Sequence, residues 1–452
     1  MSLRRFLKKM EEQNEVLHIS DDLSPRFEIA SVIKAFSNGP VLLFDNVKGY
    51  ETKIAANICG TRSRICSALE TCPDDLYMKL SDAQKSPMPP EIVEDAPVME
   101  IQKKPDLSEI PVLLHFERDA GPYITAAAVS ARSSDGKIEN VSVHRLLVLD
   151  KNHLAIRIVP RHLFKLWNMA KKEKRDLEIA ISIGLHPAIL LAAASSPPFG
   201  VSEYAVANRL LGGSLRLVKC AEVEAYAPAE AELVIEGKIS FEKEVKEGPF
   251  VDITGTYDVQ RMQPIIEVVN IMHRKDYIYQ ALLPGGPEHR LLMGLPREAA
   301  IYEAVSKAVP KVKAVNLSVG GCGWLHSVIS IEKQTEGDGK TALLAAFAAH
   351  PSLKHAIVVD SDIDVFNPVE VEWALALRFQ ASEDLIIIPN ARGSTLDPSA
   401  DQEQGLTSKM GIDATRPLNV PKENFEKARV PVTKKAAEII DKLRDQLDND
   451  VK

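Results

Sequence analysis

The chain has 452 residues, 45% of them hydrophobic and 26% charged, with 55 Lys and Arg against 63 Asp and Glu and a formal net charge of −8. Such proportions mark a soluble globular protein of roughly three domains, at about 150 residues each, and exclude disordered, collagenous and fibrous classes. No long basic block occurs, which argues against nucleic acid as a main partner.

Leu3, Phe6, Leu7 and Met10 recur at helical spacing among Arg4, Arg5, Lys8 and Lys9 and predict a helix packing one face on a domain; the interleaved charges rule out a secretory segment. Residues 41–44 and 53–58, joined by a polar turn at Asp45, Asn46, Lys48 and Gly49, read as two strands of an α+β first unit. Pro87, Pro89, Pro90, Pro97, Pro105 and Pro111 break helices and disfavour central strands, so this unit is placed over residues 1–110. Cys59, Cys66, Cys72, Cys220 and Cys322 are odd in number and form no C-x-x-C pair, which fits a reducing cytoplasm. Short β-rich runs follow at 123–129, 146–149, 153–159, 217–223, 231–236 and 265–271, the spacing of an antiparallel sheet or barrel, with helical stretches at 163–174 and 187–194. They define a central unit over residues 111–295. A helix at 298–308, strands at 312–318 and 356–359 and a helix at 341–349 then predict an α/β unit over 296–452. It ends in an amphipathic helix at 434–447, suited to docking on a second copy. The apolar runs 188–194 and 342–349 fall far short of the roughly 20 residues a membrane span needs.

Several segments carry possible chemistry. Gly337 to Thr341 ends like a phosphate loop, but Gln334 stands where its first glycine is required. Asp360, Asp362 and Asp364 follow an apolar strand and read either as a cation site or, more simply, as a strand-end polar cluster. In Asn140-Val141-Ser142-Val143-His144-Arg145, alternation puts Asn140, Ser142 and His144 on one face and Arg145 on the other unless a bulge intervenes. Glu247 precedes a Gly-Pro turn with Asp252 and Thr254 beyond it, where a carboxylate either binds a metal or caps the turn.

Together with Pro160-Arg161-His162, Ser195-Ser196-Pro197-Pro198, His273-Arg274-Lys275-Asp276, the Gly321 to His326 segment and the Ser408 to Thr415 segment, these pieces resemble the UbiD family of decarboxylases from about residue 6 to residue 418. The resemblance implies a mixed α+β and α/β multidomain fold whose central unit is a split β-barrel that binds flavin and whose C-terminal α/β unit serves oligomerisation. It implies prenylated FMN made by a separate flavin prenyltransferase, a divalent Mn2+ or Mg2+ bridging its phosphate, K+ as an accessory ion, and non-oxidative loss of CO2 from an unsaturated acid. Carried over by motif, Asn140, Glu247 and His162 become metal ligands, and Asn140, Ser142, Val143, His144, Arg145, Arg157, Ile158, Val159, His162, Ser195, Ser196 and Lys409 line the flavin. Arg145 becomes the fork that holds the substrate carboxylate and Glu288 the acid that reprotonates carbon, a task for a carboxyl whose pKa is raised in a dry pocket. Some members add an acid five residues earlier, where this chain has Leu283; Glu267 is the substitute considered. His289, Arg297 and His326 are the substrate candidates, because two resembling branches act on a second anion: one on trans-anhydromevalonate 5-phosphate, giving isopentenyl phosphate, the other on furan-2,5-dicarboxylate. A cytoplasmic homo-oligomer acting on a small molecule, with no nucleic acid or membrane partner, is the expectation. The readings from other classes are an FMN oxidoreductase, which no nicotinamide fingerprint supports, and a non-catalytic carboxylase subunit.

Overall fold

The computed structural model describes residues 1–428 and 430–450. Its central sheet is built on two long segments, Leu233–Glu247 and Arg261–His273, that pair antiparallel along most of their length. The order across the sheet is Tyr123–Ile124, Leu146–Val148, His153–Ile156, Arg261–His273, Leu233–Glu247, Leu177–Ile183, Ala127–Arg132 and Glu139–Val143, with Ile101–Lys103 added beside the end of Arg261–His273. Register shifts at Glu236/Gly237 and Ile239/Glu244 curl it into a half-barrel. At Gly237 a Cβ would lie 2.7 Å from Ile266 Cγ2 and 2.9 Å from Glu267 O, so glycine alone fits where the strands close up.

Inside the curl Ile179, Ile181, Leu233, Ile235 and Ile266 pack on Leu163, Leu166 and Trp167 of helix His162–Lys172. Helix Pro187–Ser195 is apolar all round and buried between the sheet and its neighbours, one of which is helix Glu203–Leu210. The helix starts at His162 and Glu203 both come up to strand Glu139–Val143, which gives the site its position.

The N-terminal sheet has the order Val16–Ile19, Val41–Phe44, Lys53–Ala56 and Ile278–Gln280. Its last strand comes from beyond the central sheet, while Ile101–Lys103, counted with residues 1–110, belongs to the central one. The expected break at 295/296 falls inside helix Pro287–Ala308. Pro296 lies buried within that helix, which begins eleven residues before the expected start at residue 298. The C-terminal sheet runs Val312–Leu317, His326–Ile331, His355–Asp360, Leu406–Ala414, Leu385–Arg392. Successive residues of its inner strands enter opposite cores: Ile329 and Val358 with Leu343 and Phe347, Val328 and Ile357 with Val371 and Ala374. The mixed α+β and α/β multidomain architecture agrees with the sequence reading.

Two rejected motifs have physical explanations. A Cβ at Gly339 would lie 2.0 Å from Asp413 Oδ2, so a carboxylate fills the space a phosphate would need at the start of helix Asp338–Ala349. Asp360 and Asp362 are bound by buried Arg378 at 2.8–2.9 Å, the strand-end cluster of the simpler reading. The terminal helix Lys434–Asp450 leaves Ile439, Ile440 and Leu443 exposed; Val451 and Lys452, at the end of the expected third unit, lie outside the described residues. Among the described residues no helix is long and apolar enough to cross a membrane.

Candidate active site

Strand Glu139–Val143 ends just before His144 and Arg145, so the backbone leaves the ladder and Arg145 is free to turn toward the long hairpin. Glu247 receives it in a two-pronged pair, Nε to Oε1 and Nη2 to Oε2, both at 2.8 Å. Asp252 Oδ2 accepts from Nη1 at 3.1 Å, and Tyr123 Oη donates to Glu247 Oε1 at 3.0 Å. The guanidinium stands 4.8 Å over the Phe250 ring. Burial alone would lower the pKa of Arg145, but hydrogen bonds to Glu247 and the charges of Glu247, Asp252 and Asp258 outweigh it and raise it. The fork that the sequence reading reserves for substrate is thus filled by Glu247, and Glu247 is not beside Asn140. Strand alternation could report the face of each residue but not which carboxylate would lie across the curl.

The carboxylate beside Asn140 is Glu203, which is 2% exposed. Its Oε1 accepts from Asn140 Nδ2 at 2.9 Å, its Oε2 from the Val141 backbone N–H at 2.6 Å, and His162 Nδ1 lies 3.8 Å away. Glu203 and His162 each open a helix, where the positive end of the helix dipole favours an anion. Ser142 Oγ lies 3.0 Å from Asn140 Oδ1 and 2.9 Å from His144 Nε2. Burial lowers the His144 pKa to about 4, so the ring is neutral, and its Nδ1–H donates to Arg157 O at 2.9 Å, leaving Nε2 as acceptor. Ser142 has one proton to give, so one of Asn140 Oδ1 and His144 Nε2 keeps a free lone pair. An amide oxygen, a carboxylate and an imidazole gathered this way suit a hard or borderline divalent cation. Among the described residues no three His, Cys, Asp or Glu form such a cluster, and this one takes its third member from an amide.

Around this triad, Val143 and Val159 are exposed, Ile158 donates its backbone N–H to Gln263 at 2.8 Å, and Arg157 follows the same loop. Ser195 and Ser196 end helix Pro187–Ser195. Ser195 Oγ returns to Ala192 O, while Ser196, in left-handed backbone at φ 55°, accepts from Arg297 Nη2 at 3.1 Å. Arg297 Nε is buried without a partner, and burial, together with the charge of Arg161, lowers the Arg297 pKa to about 10.

The other expected residues go elsewhere. Glu288 turns to the loop at residues 57–59, where its Oε1 accepts from the Cys59 N–H at 2.7 Å and its Oε2 is buried without a partner. Burial raises its pKa to about 7, against the lowering effect of those backbone N–H groups and Arg64. No hydrogen bond or ion pair joins Glu288 to Arg145 among the described residues. Its neighbour His289 instead faces the charge of Asp252, and its Nδ1 accepts from the Gly285 N–H at 3.1 Å. Lys409 caps carbonyls, Pro351 O at 2.7 Å and Leu353 O, and burial lowers its pKa to about 8. His326 stands edge-on to His355 at 6.1 Å with Nε2 unpartnered, and Glu267 pairs across the sheet with His153. Sequence reasoning missed Glu203, which has no motif around it. It gave Asp252 no role beyond lying after the Gly-Pro turn, although the five-residue spacing expected of an acid pair occurs between Glu247 and Asp252.

Comparison with known proteins places this geometry in context. Profiles of the N-terminal, Rift-related and C-terminal domains of 3-octaprenyl-4-hydroxybenzoate carboxy-lyase match residues 7–84, 91–287 and 290–414. The anhydromevalonate phosphate decarboxylase of Methanothermobacter thermautotrophicus is 45% identical over 92% of this chain and 97% of its own, and that of Aeropyrum pernix 44% identical over 95% and 96%. The UbiD-class enzyme HmfF of Pelotomaculum thermopropionicum, solved with FMN, superposes with a TM-score of 0.93 at 41% identity, covering 96% of this chain and 98% of its own. An evolved dimeric form of that enzyme, solved with prenylated FMN, gives 0.89 at 40% identity over 95% and 97%.

Proposed function

Because the chain belongs to the UbiD family and is a carboxy-lyase, we propose that it decarboxylates trans-anhydromevalonate 5-phosphate to isopentenyl phosphate and CO2, a step of the archaeal modified mevalonate route to isoprenoids. The observation that carries this reading is Arg297. Its buried Nε has no partner, its only hydrogen bond among the described residues goes to a serine, and the nearby Arg161 repels it, so this buried cation is in need of an anion. The names of the relatives at 41–45% identity agree with a phosphorylated acid.

The cofactor this reading calls for is prenylated FMN, supplied by a separate prenyltransferase; Asn140, His162 and Glu203 would hold Mn2+ or Mg2+, with K+ as an accessory ion. The residues fit: the triad offers one amide oxygen, one carboxylate and one imidazole, whereas Lys409 is spent on the Pro351 and Leu353 carbonyls. When bound, the prenylated flavin offers the substrate's double bond an electron sink, so that the carboxylate can leave as CO2. Arg145 orients the acid. Of its five N–H donors, three go to Glu247 and Asp252 and the second on Nη2 lies toward Asp258, which leaves one on Nη1 to receive the substrate carboxylate beside Asp252. Asp252, rather than Glu288, then passes the proton to the carbon that has lost CO2, with neutral His289 against it. Phe250, buried under the guanidinium, keeps the surroundings apolar.

Measuring CO2 release from the phosphorylated acid and from furan-2,5-dicarboxylate tests the substrate; activity on the furan acid alone would give the site to the aromatic branch. In the same assay Arg297→Gln is expected to raise KM for the phosphorylated acid by about 10- to 100-fold, the worth of a charged hydrogen bond, with flavin still bound. An unchanged KM would remove Arg297 from the phosphate.

We assign the activity to a cytoplasmic homo-oligomer of three units, with strand Ile101–Lys103 counted in the central unit and helix Pro287–Ala308 spanning the join of the second and third. The exposed Ile439, Ile440 and Leu443 support docking of the terminal helix on a second copy. Deleting residues 434–452 is expected to lower the oligomeric state in light scattering; an unchanged mass would show that the interface lies elsewhere.

A further inference from the structure

The hairpin that carries Glu247 and Asp252 returns through a short strand, Tyr257–Asp258, whose last residue is opposite Phe250. This brings a third carboxylate under Arg145. Asp258, with its side chain 6% exposed, lies 3.1 Å from Arg145 Nη2 and 3.7 Å from Arg157 Nε through the same oxygen, Oδ2, while Oδ1 accepts from Arg261 Nη1. Oδ2 is buried and makes no aligned hydrogen bond, so it acts as a point charge between two guanidinium groups. Three arginines, Arg145, Arg157 and Arg261, here face three carboxylates, Glu247, Asp252 and Asp258. The remaining titratable groups against the cluster are Tyr123 on Glu247, Asp119 toward Arg145 and His289 toward Asp252.

We infer that Asp258 is a positioning residue for decarboxylation: it holds the outer edge of Arg145 and ties it to Arg157, so that the remaining Nη1–H stays turned toward the acid. Without Asp258, Nη2 has a donor to spare and the guanidinium can rotate about its Glu247 pair. The inference rests on the reading that Arg145 receives the substrate carboxylate.

The test is the pH profile of kcat/KM in the flavin-loaded enzyme for Asp258→Asn and Arg261→Gln, with flavin content after desalting as a readout independent of turnover. Removing the negative charge of Asp258 makes neighbouring acids easier to ionise, so the limb set by the proton donor moves to lower pH by about half a unit to one unit; removing the positive charge of Arg261 moves it to higher pH. The optimum rate of Asp258→Asn drops by about tenfold or more and is partly regained in Asp258→Glu. Flavin content stays within about twofold of wild type, since Asp258 makes no contact with Asn140, His162 or Glu203. Limbs that stay put, or that move the same way in both variants, overturn the inference, as does a flavin loss that accounts for the whole fall in rate. Should Asp258→Asn fail to fold, Arg261→Gln decides by the direction of its limb. Arg145→Gln, run alongside, separates the two readings. Wild-type turnover in that variant sinks the role of Arg145 itself, whereas an inactive Arg145→Gln with unmoved limbs sinks only that of Asp258.

Discussion

Asp252→Asn is expected to lower turnover by about a thousandfold with the flavin still bound, because an amide keeps the hydrogen bond from Arg145 but has no acidic proton to deliver. Glu288→Gln is the control. It is expected to keep turnover within about tenfold, since its carboxyl is held by the loop at residues 57–59 and not by the arginine. Its main effect is on stability. Burial raises the Glu288 pKa from an ordinary value of 4.5 to about 7, so the fold prefers the neutral acid; the associated stability is complete below pH 4.5 and lost as pH rises through about 7. Replacing it by Gln therefore stabilises by about 3 kcal/mol at pH 8 and by little at pH 4, read as the difference in Tm between the variants across pH. Solvent-deuterium incorporation into the product, together with CO2 release, settles the assignment. Normal incorporation by Asp252→Asn with none by Glu288→Gln would return the proton to Glu288.

Glu203→Gln and Glu247→Gln are expected to fail in opposite ways. The first removes the charged member of the Asn140, His162 and Glu203 triad, and flavin retention after desalting against a chelator should fall on the order of 100-fold, with the fold intact. The second leaves buried Arg145 without its two-pronged partner, a loss of about 3–5 kcal/mol visible as a lower Tm, while flavin and metal remain. Metal content by mass spectrometry and flavin absorbance on the same samples check both. Flavin lost from Glu247→Gln but retained in Glu203→Gln would restore Glu247 as the ligand.

These two pairs also mark how far the sequence could be read. The strands at 146–149, 153–159 and 265–271 were legible because apolar and β-branched residues cluster there, and Asn140, His144 and Arg145 stood out because polarity interrupts a sheet. What periodicity does not carry is the partner across a curl: Asn140 and Glu247 both read as ligands, yet the half-barrel gives Glu247 to Arg145 and brings Glu203 in from a helix start 63 residues after Asn140. Strand Leu177–Ile183 was missed although its signal is present, Leu177, Ile179, Ile181 and Ile183 alternating with Glu178, Ala180 and Ser182. Lys409 was legible as a motif member, but nothing local signals that its ammonium closes the end of helix Asp338–Ala349.

Helix Pro287–Ala308 crosses the expected boundary unbroken, and it carries two of the substrate candidates on one rod. His289 stands at its first turn against Asp252, and Arg297 against Ser196 lies eight residues on, about 12 Å along the axis. The helix is therefore a ruler. In the proposed reaction it would set the separation between the carboxylate that is lost and the second anion, so that selection among acids becomes a matter of reach as well as charge. A homologue of the substrate shorter by one methylene would engage one end or the other, but not both.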